Sequence, residues 1–255
     1  MSNFKHYLIT RFNVGVYDTL EAEYHKRGKT APSTREWTDY RFEIFKSYTF
    51  PSVYNQTCSE FVWLVLMDDK TPPDIQNAMA NLSRKFPAME IVKIHFNHRT
   101  FFDANNQSVQ EYLRPRHGSA AFLMTTRIDG DDAINLEFVQ RLQAGFDTKK
   151  VGEAITFIYG CAHNPKTKKT LCRTHGTNMF LSSIELWDET VTSVLPHHHR
   201  HWAKYHYLDD DWRETRTPMW LYCAEHQNLI NEMGVRGVEI GITDINSFFG
   251  TNISP

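Results

Sequence analysis

At 255 residues and 41% hydrophobic content, the chain is long enough to bury one large core or two small ones. A net charge of −2, with pI about 6.7 and no long block of either sign, excludes a nucleic-acid footprint. Its four cysteines, Cys58, Cys161, Cys172 and Cys223, never form a Cys-x-x-Cys pair, which argues against a zinc knuckle or redox dithiol and fits a reducing compartment.

The chain starts Met-Ser-Asn-Phe-Lys-His, without a signal-peptide apolar region, and no stretch approaches about 18 apolar residues. A soluble, cytoplasmic protein is expected, with peripheral membrane contact through an aromatic patch left open. Residues 7–12 are a short apolar run ending in polar residues, the pattern of a first buried strand. A polar loop is expected from there to Pro32. Ser33 and Glu36 then have capping-box spacing, and Trp37, Tyr40, Ile44, Phe45 and Tyr48 follow at helical spacing.

Residues 61–67 read as a second buried strand, closed by Asp68-Asp69-Lys70-Thr71-Pro72-Pro73. Ile75, Ala78, Met79 and Leu82 mark a helix that stops before Pro87. Residues 91–94 form a third strand and residues 120–128 a fourth, followed by a helix over 136–145 with Leu136, Val139 and Leu142 on one face. Alternating strands and helices predict an α/β fold whose central sheet is mostly parallel, with helices on both faces.

The second half is more irregular. Runs at 154–159 and 169–173 flank Asn164-Pro165-Lys166 and suggest a hairpin, and residues 178–181 read as another short strand. No linker or repeat divides the chain, so a single domain over 1–255 is expected.

Chemistry concentrates where the fourth strand ends, at Asp129-Gly130-Asp131-Asp132. Clustered carboxylates repel one another and persist where a cation or donors compensate them. Oxygen-only ligands suit Mg²⁺ or Mn²⁺, which hold diphosphates through one or two carboxylates. If strand alternation persists past Ile128, Asp129 and Asp131 face one side. The competing reading is a solvated turn capping the next helix.

Asp68 and Asp69 follow a buried strand in the same way, either as site residues on that edge or as turn formers. Arg11 and Asn13 after the first strand are either phosphate contacts or surface groups. Arg127 is expected to pair with a neighbouring carboxylate. His197-His198-His199 cannot all point one way and read as an exposed loop. Asp209-Asp210-Asp211 read as a solvated acidic turn, and His226 as a structural histidine. No Gly-x-Ser-x-Gly, Walker loop or Gly-x-Gly-x-x-Gly occurs.

Together the segments 6–13, 41–45, 50–57, 61–69 and 126–133 resemble the rhamnosyltransferase family of GT-A-type glycosyltransferases. Pro51-Ser52, Gln56, Trp63-Leu64-Val65 and the Asp-x-Asp of Asp129 and Asp131 carry the likeness over residues 5–145. Weaker echoes lie at 180–185 and 220–228. The resemblance implies a GT-A-like chain with a nucleotide-diphospho-sugar donor bound by residues 1–145 and a glycan or glycolipid acceptor by 146–255.

It also implies roles for residues. Asp131 would coordinate Mn²⁺ or Mg²⁺ with His226 completing the shell, and Asp129 would touch the ribose or metal-bound water. Asp68 or Asp69 would read the base, with Arg11, Asn13 and Arg127 near the nucleotide. An inverting transfer needs a base, but the Glu-Asp pair common in such enzymes is missing from the second half. Asp210, Glu185 and Asp211 are the candidates carried forward, with Asp188 and His198 behind them. The rivals are a two-metal nucleotidyl- or phosphotransferase and a carbohydrate-binding module using its six tryptophans.

Overall fold

The computed structural model describes residues 3–96, 101–116, 119–188, 190–196, 201–209, 211–224 and 237–254, with side chains of 101–104 left out. In chain order the elements begin β1 (Phe4–Arg11), α1 (Val16–His25) and α2 (Thr34–Ile44). A π-helical turn (Phe45–Thr49) then runs without a break into α3 (Phe50–Tyr54), followed by β2 (Val62–Asp68), α4 (Pro73–Lys85), β3 (Met89–Ile94), α5 (Phe101–Leu113), β4 (Phe122–Asp129), β5 (Ala133–Ile134) and α6 (Phe138–Ala144). The second half holds β6 (Ala154–Thr156), β7 (Tyr159–His163), β8 (Thr170–Thr174), β9 (Ser182–Leu186), β10 (Tyr205–Tyr207), α7 (Trp212–Thr215), β11 (Trp220–Cys223), β12 (Val238–Glu239) and α8 (Ile242–Phe249).

Seven strands form one sheet in the order β10-β6-β9-β4-β1-β2-β3. β1 pairs in parallel with both β2 and β4, and β2 with β3, whereas β9 runs antiparallel to β4 and β6. Its central strands are buried on both faces, which is why β1, β2 and β4 read as continuous apolar runs. Alternation divides them between two cores. Leu8, Trp63, Val65, Met124 and Ile128 pack with Phe42, Phe45, Met79 and Phe138 on the face of α2, α4 and α6. Ile9, Leu64, Leu66 and Leu123 pack with Val109 and Leu113 of α5 on the other. The mostly parallel α/β sheet with helices on both faces is therefore present.

A second sheet, β12-β8-β7-β11-β5, takes β5 from the first half and the rest from the second. Both sheets thus cross position 145.

Several local expectations shift. The capping box forms as expected, with Ser33 Oγ accepting the Glu36 N–H and the Glu36 carboxylate accepting the Ser33 N–H. The loop expected before Pro32 instead contains α1, whose narrow stripe of Leu20 and Tyr24 packs on Trp37. The 154–159 run is divided: Asp209 accepts the N–H groups of Ile158 and Tyr159 at 2.6 and 2.8 Å and sends the chain from β6 in one sheet to β7 in the other. Asp209 is buried, not solvated. The hairpin is therefore β7–β8, and the strand expected at 178–181 begins at Ser182.

That hairpin also joins two cysteines the sequence reading left apart: Cys161 and Cys172 are register partners and form a disulfide. Trp63, Trp187 and Trp220 are core residues rather than a sugar-stacking surface. No helix among the described residues is long and apolar enough to cross a membrane.

Two buried histidines tie elements together. His6 bonds Thr126 Oγ1 at 2.8 Å, and His163 bridges Tyr48 Oη at 3.1 Å and Thr170 Oγ1 at 2.8 Å. Burial pushes His6 down to about 3 and His163 down to about 4. The unfolded chain protonates them below about pH 6.5 while the folded chain does not, so stability falls as pH drops through that window. Each histidine contributes up to about 1.4 kcal/mol per pH unit. His163→Gln is expected to flatten the acid side of the urea-midpoint curve between about pH 6.5 and about pH 4.5. Parallel curves for variant and wild type contradict the buried neutral state.

Candidate active site

The carboxyl edge of the parallel strands gathers most of the residues singled out in the sequence. Register sets Arg11, the last residue of β1, beside Asp129, the last of β4, and Asp68 closes β2 between β1 and β3. Open α/β sheets bind ligands at this edge because the loops there leave a crevice lined by strand-end side chains.

Strand alternation does not continue past Asp129. The chain turns at Gly130 and Asp131, and the Asp132 N–H returns to the Asp129 carbonyl at 3.2 Å. Glycine suits that turn, since a Cβ at position 130 would meet the Arg11 carbonyl closely, at 3.2 Å. Asp131 and Asp132 are buried and Asp129 is half-buried, so the cluster is not a solvated cap, and α6 starts only at Phe138 without a side-chain cap.

Arginines compensate the cluster. Arg11 Nη2 donates to Asp129 Oδ1 at 2.7 Å and Arg127 Nη2 to Asp129 Oδ2 at 3.0 Å, as expected for Arg127. Burial alone raises the Asp129 pKa, but the two guanidiniums outweigh it and hold the carboxyl well below the usual range. Asp131 Oδ2 accepts from Arg41 Nη1 at 2.7 Å, in a pair whose side chains are 10% and 5% exposed.

Asp132 is fully buried. One oxygen accepts the Cys223 N–H at 2.9 Å, and among the described residues the other has no hydrogen-bond partner. Burial, with Asp131 and Asp129 nearby, pushes its pKa well up. Half-buried Tyr222 is raised by burial and then by the same acids, which places its phenol within their field.

Asp68 and Asp69 part company. Asp68 is buried and accepts the N–H groups of Gly15 and Lys70 at 2.8 and 2.9 Å. Gly15 N-caps α1 with φ +76°, so Asp68 anchors the loop after β1. Asn13 serves the same junction, accepting from the Asp68 N–H and donating to Thr71 Oγ1. Asp69 is exposed and pairs with His95 Nδ1 at 2.7 Å.

Among the described residues, the base candidates Glu185, Asp188 and Asp211 are not brought to this cluster. Glu185 pairs with Leu123, six positions before Asp129 on β4 and so on the order of 20 Å away along the strand. Its carboxylate accepts from Thr192 and Ser193. Asp188, on the same side, accepts from Thr190. Asp211 is exposed and precedes α7, near the Tyr159 end of β7, whereas the Cys223–Asp132 contact lies at the His163 end. Asp210, His226 and His197 to Arg200, with His198 among them, lie outside the described residues.

Two oxygen ligands, Asp131 and Asp132, fit a hard divalent ion that takes its other ligands from phosphate and water, and the unpartnered Asp132 oxygen is the kind of atom such an ion satisfies. Among the described residues no group of three or more His, Cys, Asp or Glu side chains is placed to hold an ion. Arg41 and Tyr222 are residues whose place here the sequence reading did not assign, and Asp132 was placed in the cluster without a role of its own. Arg41 carried one signal, a cation on the helical face of Trp37 and Phe45.

The chain is thus an α/β protein with a mostly parallel sheet whose carboxyl edge is lined by acids and arginines. Residues 5–236 match the family described as Putative rhamnosyl transferase, and the chain belongs to that family of glycosyltransferases. No curated protein matches it.

Among solved structures, residues 1–349 of S. aureus TarS are 11% identical with a TM-score of 0.46, over 86% of this chain and 60% of that one. The same TarS piece in complex with UDP gives 13% and 0.46 over the same shares. The mannosyltransferase PcManGT from Pyrobaculum calidifontis, in complex with GDP-Man and Mn²⁺, is 13% identical with a TM-score of 0.33, over 64% and 36%. This chain thus spans 60% or less of each, and likenesses this distant assign no residue of the site.

Proposed function

We propose that this glycosyltransferase moves a sugar, rhamnose on its family's description, from a nucleotide-diphospho-sugar to a glycan or glycolipid acceptor, with inversion and with Mn²⁺ or Mg²⁺. The observation that carries the reading is the Asp131–Asp132 pair, with its unpartnered buried oxygen, set among Arg11, Arg41 and Arg127 at the carboxyl edge.

A divalent cation here supplies Lewis-acid stabilisation of the departing diphosphate. Asp131 and Asp132 offer its oxygen ligands. Arg11 and Arg127, less screened at this partly buried edge than in water, add positive charge for the phosphates and hold Asp129 in place for a ribose hydroxyl or bound water. Exposed Asp69, steadied by His95, is the carboxylate free to accept from the base, because Asp68 is committed to backbone N–H groups. Residues 1–145 would supply the donor site and 146–255 the acceptor site, joined where the Cys223 N–H of β11 donates to Asp132.

Differential scanning fluorimetry against nucleoside diphosphates, with and without Mn²⁺, tests the reading. Stabilisation by one nucleotide only when metal is present is expected, because a ligand that binds only the folded state raises its melting point. A shift with free oligosaccharides and with no nucleotide contradicts it and favours a binding module.

A further inference from the structure

The three arginines are shared unevenly. Arg11 and Arg127 both face Asp129, whereas among the described residues the hydrogen-bond partner of Asp131 is Arg41. Arg41 comes from a different element, α2, ninety positions earlier in the chain. Its guanidinium lies over the Trp37 ring one turn back, 5.2 Å from the centroid, and that stack fixes where the charge sits. The pair is almost wholly buried, so water screens it little. Its carboxylate oxygen, Asp131 Oδ2, belongs to the group read above as the metal ligand.

Resting on that reading, we propose that Arg41 is the resident counter-cation of the metal site and must leave Asp131 Oδ2 before this carboxylate can hold a divalent ion. Guanidinium and ion would meet on one carboxylate in a little-screened site, where two cations that close repel each other. Arg41 therefore weakens metal binding and keeps the cluster charge-compensated without metal. The opposite role, an arginine that assists the metal or binds only the phosphates, predicts weaker or unchanged metal affinity once Arg41 is removed.

Isothermal titration of the full chain with MnCl₂ alone separates these roles. Arg41→Met is expected to bind Mn²⁺ at least about tenfold more tightly than wild type, because the competing charge of a little-screened pair is gone. Arg41→Lys, which keeps the charge but loses the planar fork and its stack, is expected to fall between them and answers the question if the Met variant does not fold. Asp131→Asn is expected to abolish the titration. Equal or weaker Mn²⁺ binding by the Arg41 variants, with Asp131→Asn still abolishing it, overturns the role of Arg41 and leaves the metal site standing. No Mn²⁺ binding by wild type or either Arg41 variant overturns both.

Discussion

Asp131→Asn is expected to lower kcat/KM for sugar transfer by at least about a hundredfold while the protein stays folded, the scale seen when one element of charge stabilisation is removed from a transition state. Asparagine keeps the volume and an oxygen that can still accept from Arg41 Nη1, so the turn at Gly130 has no reason to rearrange. What is lost is the negative charge that recommends Asp131 as a ligand. Arg41 is then left with a neutral partner at a site only 10% exposed, a stability cost on the order of 3 kcal/mol that the amide oxygen still accepting from it keeps at the low end for a broken buried pair. Rate measurements beside a thermal melt distinguish the two effects. Normal transfer by a folded variant contradicts the assignment of Asp131.

Trp63→Ala is expected to have the largest effect on stability, about 3–5 kcal/mol by urea denaturation. The ring has no exposed surface and packs against Phe45 at 5.6 Å, Phe50 at 6.2 Å and Phe86 at 6.4 Å, while Nε1 donates to Thr10 Oγ1 at 2.9 Å. Alanine leaves a cavity where β2 meets the π-helical turn and strips Thr10 of its donor. Trp63→Phe refills most of the cavity and is expected to lose less than half as much. Phe45 follows directly on α2, the helix that carries Arg41, so the alanine variant is also expected to loosen the Arg41–Asp131 pair. An unchanged urea midpoint contradicts this account of the core.

The strands that carry the candidate site were legible because they are buried on both faces. β1, β2 and β4 each read as an apolar run ending in a polar residue, and those ends, Arg11, Asp68 and Asp129, are the site's edge. Ser33 and Glu36 announced α2 by a local bond that needs no tertiary knowledge. α1 was missed because only Leu20 and Tyr24 are buried along it, and β6 and β7 were run together because the group that parts them, Asp209, lies some fifty residues downstream.

Within the site, the cluster Asp129, Asp131 and Asp132 was visible as a sequence run. The charges that answer it were only partly so. Arg127 could be guessed from adjacency, but Arg41 reaches Asp131 from a helix whose amphipathic pattern only places it on an inward face. The sequence pattern marked Asp68 and Asp69 alike, yet backbone N–H groups claim Asp68 and leave Asp69 at the surface with His95. Cys161 and Cys172 become partners only once the β7–β8 register is known.

The central claim is that this chain breaks a sugar–diphosphate bond at the Asp131 edge with the help of a divalent ion. Its most direct test is turnover of a panel of nucleotide-diphospho-sugars, deoxyhexose donors included, by wild type and Asp131→Asn, with Mn²⁺ or with EDTA, followed as release of the nucleoside diphosphate. One donor consumed by wild type with Mn²⁺, and spared by EDTA or by the substitution, is the predicted result. Release at the same rate in EDTA, or by Asp131→Asn, contradicts the account.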